Sequence, residues 1–242
     1  MNLVIDVGNT GIKIAIFKNS KLIHNESINK ENFVNEVSEL IEKFKCANAI
    51  ISSVGLLKKS QISKLKSKIN LVELNSSTKV PFKNMYLTPK TLGVDRIALV
   101  AAAISKFTNK NVLIIDAGTC ITYDFVDKEG CYYGGAISPG IKIRYKSLHT
   151  FTNNLPLLES KYATQFLGNS TETCINAGVV HGVIGEIDSF INQYKEKNKD
   201  LTVVLTGGDT NFLSNRLKNS IFANPFFLME GLNTILTYNL NK

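Results

Sequence analysis

The sequence predicts an α/β fold arranged as two domains, and three observations lead to this prediction. Segments with strand character alternate with segments of helical periodicity along the chain. Its 242 residues are enough for two domains of ordinary size. An internal repeat is also present, because "LVIDVGNTGIKIAIF" (3–17) and "LIIDAGTCITYDF" (113–125) both predict a strand, a tight turn and a second strand. We therefore expect one domain over residues 1–108 and another over 109–242, each containing one copy of this hairpin.

The elements of the first domain follow from apolar spacing. Phe33, Val37 and Phe44 belong to a set of apolar residues that recurs at helical intervals. The polar stretch "KFTNKN" (106–111) marks the domain boundary. The elements predicted before it are an amphipathic helix over roughly 30–45, a strand in "NAIISSV", a lysine-rich helix near 58–68, a strand in "LVEL" and a mostly buried helix over 94–105.

The second domain is predicted in less detail. It contains a glycine-rich segment, "GGAISPG" (134–140), and a long helix across 171–194. A strand then leads into "TGGD" (206–209), and "EGLNTILTYNL" closes the chain as a helix. No solenoid period or low-complexity tract interrupts this alternation, which supports the α/β prediction.

The composition argues against a membrane or secreted protein. No apolar run approaches the roughly 18 to 20 residues of a membrane span. The chain also starts directly in a strand, without the basic and apolar regions of a signal peptide. Its four cysteines (Cys46, Cys120, Cys131 and Cys174) form no C-x-x-C pair and predict buried thiols rather than disulfides or zinc ligands. We expect a cytoplasmic protein that does not associate with membranes.

The net charge of +8 raises the question of nucleic-acid binding. Only three of the 28 basic residues are arginines, and the lysines are scattered rather than gathered on one periodic face. A nucleic-acid interface usually concentrates its basic residues. We therefore expect no nucleic-acid partner, and interpret the charge as favouring anionic substrates such as nucleotides.

Each repeated turn contains the residues of a phosphate site. A glycine allows the backbone to approach a ligand closely, and amides with the side chains of Asn9, Thr10 or Thr119 can surround phosphate oxygens. Asp6 and Asp116, at the ends of the first strands, are placed to hold a cation or its waters. A single such turn is better explained as a plain hairpin. Two copies favour a polyphosphate held from both sides.

A third motif, "VVLTGGD" (203–209), predicts a strand that ends in Gly207 and Gly208 before a helix. Paired glycines can place backbone flat against an adenine or ribose, although a common strand-to-helix turn has the same sequence. The order phosphate, phosphate, adenosine resembles the superfamily of acetate and sugar kinases, heat-shock chaperones and actin. This resemblance implies two ribonuclease-H-like domains with mixed sheets flanked by helices and an ATP cleft between them.

Further motifs resemble one family within that superfamily, the type III pantothenate kinases. They are "DVGNT" at 6–10, "YLTPKTLGVDR" at 86–96, "YYGGAISPGIKIRYKSLHTFTNNLP" at 132–156 and "STETCINAG" at 170–178. The resemblance covers nearly the whole chain. It implies ATP-dependent phosphorylation of the terminal hydroxyl of pantothenate, the first step towards coenzyme A, by a cytosolic homodimer. It also implies two cofactors, Mg²⁺ with ATP and a monovalent cation, K⁺ or NH₄⁺.

The resemblance assigns the ATP site residue by residue. Asp116 matches the ligand of the monovalent cation, and Asp6 is expected to hold Mg²⁺ directly or through a water. Asp124, at the end of the second hairpin, is a lesser acidic candidate. The residues expected to contact ATP are Asp6, Val7, Gly8, Asn9, Thr10, Gly11, Ile12 and Lys13 in the first turn, Thr119 in the second, and Gly207 with Gly208 in the third motif.

The resemblance also assigns a catalytic base and a substrate site. Asp95 would accept the proton of the pantothenate hydroxyl, and its alternative role is to stabilise the start of a helix. Arg96 is expected to bind the pantothenate carboxylate through its bidentate fork. The substrate contacts are expected at Tyr86, Gly93, Val94, Asp95, Arg96 and Thr171.

The chain departs from the family pattern in two places. Cys120 stands in the phosphate turn where another small residue is expected, and Arg144 and Lys146 make "IKIRYKSLH" unusually basic. Two other functions remain open, a sugar kinase of the same superfamily and a non-catalytic ATP-binding regulator. The zinc-binding Cys/His cluster of many sugar-kinase relatives is not visible in the sequence. A non-catalytic relative is expected to have lost at least one of the acidic residues Asp6, Asp95 and Asp116. All three are present.

The dimer implied by the resemblance is expected to use Thr171 and the helix that follows it. This helix has more apolar positions than one face of a small domain needs, and a two-fold interface would bury the surplus symmetrically. The positions are Ile175, Val179, Val183, Ile184 and Ile187.

Overall fold

A computed structural model describes residues 1–8, 11–53, 57–159 and 165–241. The chain forms two compact units. Unit 1 consists of Met1–Thr108, Gly130–Tyr132 and Phe226–Lys242, and unit 2 of Asn109–Glu129 with Tyr133–Pro225. The first change of unit falls at the predicted boundary after residue 108. The segment from Phe226 differs from the prediction, because it packs with unit 1 and not with the second domain.

The chain contains eleven strands and seven α-helices within the described ranges, together with a 3-10 turn at Pro89–Thr91. The strands are β1 (Asn2–Val7), β2 (Ile12–Lys18), β3 (Lys21–Ile28), β4 (Asn48–Ser53), β5 (Asn70–Glu73), β6 (Lys83–Asn84), β7 (Val112–Ala117), β8 (Cys120–Val126), β9 (Cys131–Pro139), β10 (Thr202–Thr206) and β11 (Phe222–Ala223). The helices are α1 (Phe33–Phe44), α2 (Lys59–Lys66), α3 (Val94–Lys106), α4 (Ile141–Thr150), α5 (Thr171–Lys197), α6 (Thr210–Ser214) and α7 (Phe227–Leu240).

Unit 1 is built on a mixed sheet with the strand order β3-β2-β1-β4-β5. β1 pairs antiparallel with β2, and β2 with β3, whereas β4 and β5 run parallel to β1. Five of the six residues of β1 are buried, and the periodic apolar face of α1 joins the same core. The short strand β6 pairs with Cys131 and Tyr132, the first residues of β9, within this unit. The sheet thus carries Asp6 at the end of its central strand.

The last helix of the chain completes unit 1. Eight residues of α3 and seven of α7 are buried. The two helices are also joined at their surface, where Lys106 Nζ lies 3.0 Å from Glu230 Oε2. The sequence shows the amphipathic character of both helices, but only the tertiary structure shows that they pack together.

Unit 2 repeats the strand order of unit 1. Its sheet runs β9-β8-β7-β10-β11, with β8 antiparallel to β7 and with β10 and β11 parallel to it. The hairpins β1/β2 and β7/β8 therefore occupy the same place in their sheets, which confirms the repeat seen in the sequence. Each unit is a mixed sheet flanked by helices, as the ribonuclease-H-like prediction requires.

The interpretation of the α5 stripe as an interface is wrong. Ile175, Val179, Val183 and Ile187 are at most 8% exposed and belong to the core of unit 2, and Ile184 packs against the same core. A helix of 27 residues can bury this many apolar side chains because one of its faces packs along its length against the core of unit 2. Most of the stripe is thus buried within the unit, and Ile175 and Val179 also line a groove at its surface.

The prediction of buried thiols holds for one cysteine. All four cysteines are free, but only Cys46 is buried, whereas Cys120 and Cys174 are exposed and Cys131 is half-buried. Cys120 lies at the start of β8 and Cys174 in the first turn of α5, where side chains face outward. The sequence alone could not show which cysteine is buried and which are exposed.

One helix among the described residues, α5, is long and apolar enough to cross a membrane by length and composition alone. Half of its most apolar window is buried inside the protein. Core helices pass the same test, so this is weak evidence for a membrane span.

Candidate functional site

The first phosphate turn follows β1 in unit 1. Asp6 is 9% exposed and pairs in register with Lys13 of β2 and Ser52 of β4. The turn is closed by the Gly8 amide, which donates to the Gly11 carbonyl over 3.0 Å. Val7 and Ile12 flank the turn with buried side chains, so only their backbone groups face a ligand. Asn9 and Thr10, which the sequence predicts to contact ATP, lie outside the described residues.

Two acidic groups of unit 1 interact electrostatically. The pKa of Asp6 is raised from 3.8 to about 6, mainly by burial. Lys13 and a hydrogen bond from Ser52 lower this pKa, and the nearby charge of Asp95 raises it. The effect of Asp95 on Asp6 means that their carboxylates share one neighbourhood. The structure thus brings together the predicted cation ligand and the predicted catalytic base, although they are 89 positions apart in sequence.

Asp95 lies in the first turn of α3, where a helix favours negative charge. Its Oδ1 accepts the backbone amide of Arg96 over 2.8 Å, and its side chain is half-buried. Gly93 precedes the helix and lies against this carboxylate, because an added Cβ would come within 2.3 Å of Asp95 Oδ1. The hydrogen bond to Arg96 also agrees with the alternative role at the helix start.

The other predicted substrate residues of unit 1 surround Asp95. Arg96 is only 5% exposed, and its guanidinium carbon lies 5.5 Å from the ring centroid of Tyr86. Tyr86 stacks on the buried Tyr132 at 6.1 Å, and Phe82 meets Tyr132 edge-on at 6.0 Å. Tyr86 therefore lies beside Arg96, and the role of these residues in binding substrate stays a prediction. Tyr132 and Phe82 were not predicted as supports, since neither position carries a signal in the sequence beyond its aromatic ring.

The second phosphate turn and the glycine pair meet in unit 2. Asp116 is half-buried on β7, and the Gly118 amide closes the following turn by donating to the Cys120 carbonyl over 2.9 Å. Gly207 has a φ of +95°, and an added Cβ would lie 2.3 Å from Asp116 Oδ1 and 2.4 Å from the Ala117 carbonyl oxygen. Only glycine fits here. Thr119 and Gly208 are exposed beside these groups and accessible to a ligand.

Two acidic side chains of unit 2 differ from the sequence interpretation. Asp209, whose amide donates to the Ala117 carbonyl over 2.9 Å, adds a carboxylate beside Gly208. Burial raises its pKa, and Lys142 opposes this effect. The "TGGD" motif contained this residue, but its carboxylate was not predicted to matter. Asp124 is 0% exposed on β8, so this lesser acidic candidate offers no surface to a nucleotide.

Thr171 is the exposed first residue of α5. Ser170 caps this helix, with its Oγ accepting the Thr173 amide over 3.3 Å. Thr171 lines a groove of about 1130 Å³ between α4 and α5, together with Arg144, Leu155, Cys174 and Gly178. The predicted substrate residue is therefore exposed in a concave surface of its own unit.

The donor atoms fit the two implied cations. Over the described ranges, no three or more His, Cys, Asp and Glu side chains form a metal cluster. Mg²⁺ bound with a nucleotide needs only one or two protein carboxylates, because it keeps several waters and phosphate ligands. Asp6 meets that requirement. A larger monovalent cation binds carboxylate and carbonyl oxygens, and Asp116 and Ala117 place one of each against Gly207.

Comparison with solved structures shows which proteins share this fold. The fold is similar to a glucokinase from an Antarctic psychrotroph, with a TM-score of 0.53 and 12% identity over 98% of both chains. It is also similar to a Baf family transcriptional activator from Campylobacter jejuni, with a TM-score of 0.64 and 22% identity over 99% of this chain and all of that one. The protein thus shares the fold of these two proteins, one of them a sugar kinase by its description.

The family follows from sequence. The family model "Type III pantothenate kinase" matches residues 2–193. Curated proteins of that name from Christiangramia forsetii and Flavobacterium johnsoniae are 50% and 43% identical over 240 and 243 residues, covering at least 99% of each chain. The chain belongs to the type III pantothenate kinase family. This confirms the resemblance and the assignment as a kinase.

Proposed function

We propose that the protein transfers the γ-phosphoryl group of ATP to the terminal hydroxyl of pantothenate, giving 4'-phosphopantothenate, the first step of coenzyme A biosynthesis. Full-length identity of up to 50% to type III pantothenate kinases supports this function. The structural observations that carry it are the buried Asp6 at the end of β1 and Asp95 in the first turn of α3, within the same unit. A cation ligand and a proton acceptor are the two acidic groups that this reaction requires.

The chemistry asks mainly for alignment and charge compensation. Asp95 accepts the hydroxyl proton through the carboxylate oxygen that does not bond the Arg96 amide, and Arg96 binds the pantothenate carboxylate. Tyr86 fixes the Arg96 guanidinium by stacking. Asp6 would hold the Mg²⁺ bound with ATP, and this ion would supply positive charge that offsets the phosphate charge. The exposed Thr119 and Gly208 and the half-buried Gly207 are assigned to ATP, as are the turn residues from Asp6 to Lys13, including Gly11.

Release of ADP tests this function directly. With purified protein, Mg²⁺, K⁺ and ATP, we expect ADP release that depends on pantothenate and not on any member of a sugar panel. A hexose-dependent rate with no response to pantothenate would favour the sugar-kinase alternative. ATP binding without turnover on either substrate would favour the non-catalytic alternative.

Replacing potassium tests the cation site. If Asp116 binds a monovalent cation, activity should fall at least tenfold when K⁺ or NH₄⁺ is replaced by Na⁺, because the smaller ion suits carboxylate and carbonyl ligands of a K⁺ site less well. Asp116→Asn should weaken the response to K⁺ and raise the KM for ATP. Asp200→Asn, in an exposed bend, is the matched control. Equal rates in Na⁺ and K⁺ would argue that Asp116 only stabilises its turn.

We also propose that the protein is a homodimer in the cytoplasm. The support is the exposure of three apolar side chains on the surface of unit 2, since Phe151, Phe166 and Leu167 are 85%, 82% and 82% exposed. Exposed apolar side chains of this size are typical of interfaces. Free cysteines agree with a reducing compartment. The interface is thus assigned to this surface and not to the buried face of α5.

Sedimentation of a surface variant tests the dimer. We expect the wild type to sediment as a dimer at micromolar concentration, and Leu167→Asp to shift it towards monomer because a charge would be buried at the interface. Leu87→Asp, at a leucine that is 97% exposed in unit 1, is the matched control and should stay dimeric. A wild-type monomer under these conditions would contradict the proposal.

A further inference from the structure

Unit 2 contains a polar network around Glu186, whose member Arg144 also lines the groove at Thr171. Tyr123 on β8 donates its hydroxyl to Glu186 Oε1 over 2.9 Å. Arg144 on α4 donates Nη2 to Glu186 Oε2 and to Ser138 Oγ, the latter over 3.0 Å. The Arg144 Nε donates to the Pro139 carbonyl over 2.9 Å. One guanidinium therefore connects α5 to the end of β9.

The network is partly withdrawn from water and keeps one state of protonation near neutral pH. Tyr123 is 0% exposed, and the side chains of Arg144 and Glu186 are 23% and 22% exposed. Burial alone would raise the pKa of Glu186, but hydrogen bonds from Arg144, Ser138 and Tyr123 outweigh it, so the pKa is lowered. Burial and Glu186 raise the pKa of Tyr123. Glu186 is thus a charged carboxylate and Tyr123 a neutral phenol, so the network does not act as a pH switch. We call the hydrogen-bonded group of Tyr123, Glu186, Arg144, Ser138 and Pro139 the brace.

The brace ends at the second phosphate turn. Gly140 follows Pro139, and its amide donates to the Thr119 carbonyl over 3.1 Å. An added Cβ at Gly140 would come within 2.1 Å of the Gly118 carbonyl oxygen and 2.5 Å of that of Thr119. The two backbones are thus in close contact, so the position of residues 138–140 determines where the turn can lie.

We propose that Arg144 is a positioning residue for the ATP phosphates. By holding Ser138 and Pro139 from Glu186, it fixes Gly140 against the Gly118–Thr119 turn and keeps the donors of that turn in binding geometry. Donors that stabilise phosphate charge act through preorganisation, so small displacements are costly. The inference rests on the proposed function, which makes ATP the ligand of this turn.

The planar fork of Arg144 suits this role. Its Nε and Nη2 donate in one plane to a carbonyl, a hydroxyl and a carboxylate, which a lysine ammonium cannot reproduce with the same rigidity. The pair with Glu186 anchors the fork to the buried helix α5. The basic character of "IKIRYKSLH", a departure from the family pattern, therefore has a structural use at Arg144.

The test compares ATP affinity with pantothenate affinity. We expect Arg144→Met to raise the Kd of Mg-ATP, measured by calorimetry without pantothenate, by about 10- to 100-fold. The KM for ATP should rise in parallel, while the KM for pantothenate stays within about twofold. Arg144→Lys should recover only part of the affinity. Glu186→Gln should weaken ATP binding in the same direction, and the double variant should cost less than the two single changes together, because both act through one network.

A matched control and a milder variant complete the design. Lys106→Met breaks an ion pair of 3.0 Å in unit 1, with side chains 37% and 30% exposed, and should leave the Kd of Mg-ATP unchanged. If Arg144→Met does not fold, Ser138→Ala removes a single hydrogen bond of the brace and should still raise this Kd severalfold.

Three results would overturn the proposal. One is an unchanged Kd of Mg-ATP in folded Arg144→Met or Ser138→Ala, with only the Tm lowered. Another is an increase confined to the KM for pantothenate, which would make Arg144 a substrate contact. The third is full additivity of Arg144→Met and Glu186→Gln. If the wild type releases no ADP with pantothenate, the proposed function fails, but the Kd of Mg-ATP still decides the role of Arg144.

Discussion

Asp95→Asn is expected to lower kcat by about 10² to 10⁴ while leaving ATP affinity and thermal stability nearly unchanged. Asparagine keeps the size of the side chain, and its Oδ1 can still accept the Arg96 amide that Asp95 accepts over 2.8 Å. It cannot take a proton from the pantothenate hydroxyl. The loss should therefore appear in the chemical step, measured by single-turnover ADP release alongside calorimetric binding of Mg-ATP.

The same substitution has a second expected effect, on Asp6. The charge of Asp95 raises the pKa of Asp6, so its removal should lower that pKa and move the acid limb of Mg-ATP binding to lower pH. A merely structural Asp95 near Asp6 would also produce this shift, but without the loss of kcat. The pair of measurements thus separates catalysis from proximity.

Two further variants serve as comparisons for Asp95→Asn. Asp200→Asn makes the same chemical change at an exposed bend and should leave kcat unaltered. Arg96→Ala should raise the KM for pantothenate through the lost carboxylate contact. If Asp95→Asn unfolds the protein while activity per folded molecule is intact, Asp95 stabilises the start of α3 and is not the base.

Asp6→Asn is expected to combine a loss of activity with a gain of stability. The pKa of Asp6 is raised from 3.8 to about 6, mainly by burial. A pKa raised in the folded state contributes stability that is fully present below pH 3.8 and is lost as the pH rises through 6. Ionised Asp6 therefore destabilises the free protein at pH 8 by about 3 kcal/mol at most. Asparagine carries no charge, so urea unfolding at pH 8 without nucleotide or Mg²⁺ should show the variant to be more stable.

The activity change has the opposite sign. Protonated Asp6 cannot hold a cation, so kcat/KM for Mg-ATP in the wild type should fall about tenfold for each pH unit below 6. In Asp6→Asn this acid limb should be absent and activity should be low at every pH. Retention of the limb in the variant would show that another group produces it and that Asp6 does not bind the cation.

The sequence by itself determined the α/β class, the repeated hairpin and most helices, because apolar period and turn residues are local properties. It did not reveal α4, in which Lys142, Arg144 and Lys146 interrupt the apolar pattern. It also left β3 and the extent of β9 unassigned, because neither shows a clean alternation of apolar and polar residues. For the site, it identified Asp6, Asp95 and Asp116 through motifs and a family resemblance.

Only the tertiary structure decided which surfaces are covered and which distant groups meet. Periodicity shows that α5 has an apolar face but not what buries it, and the core of unit 2 buries it. In the same way, α7 could be predicted as a helix but not as the partner of α3 in unit 1. The repulsion between Asp6 and Asp95, and the links from Tyr123 through Glu186 to Arg144, join residues far apart in sequence. Such contacts depend on how sheets and helices pack, and no local pattern in the chain encodes them.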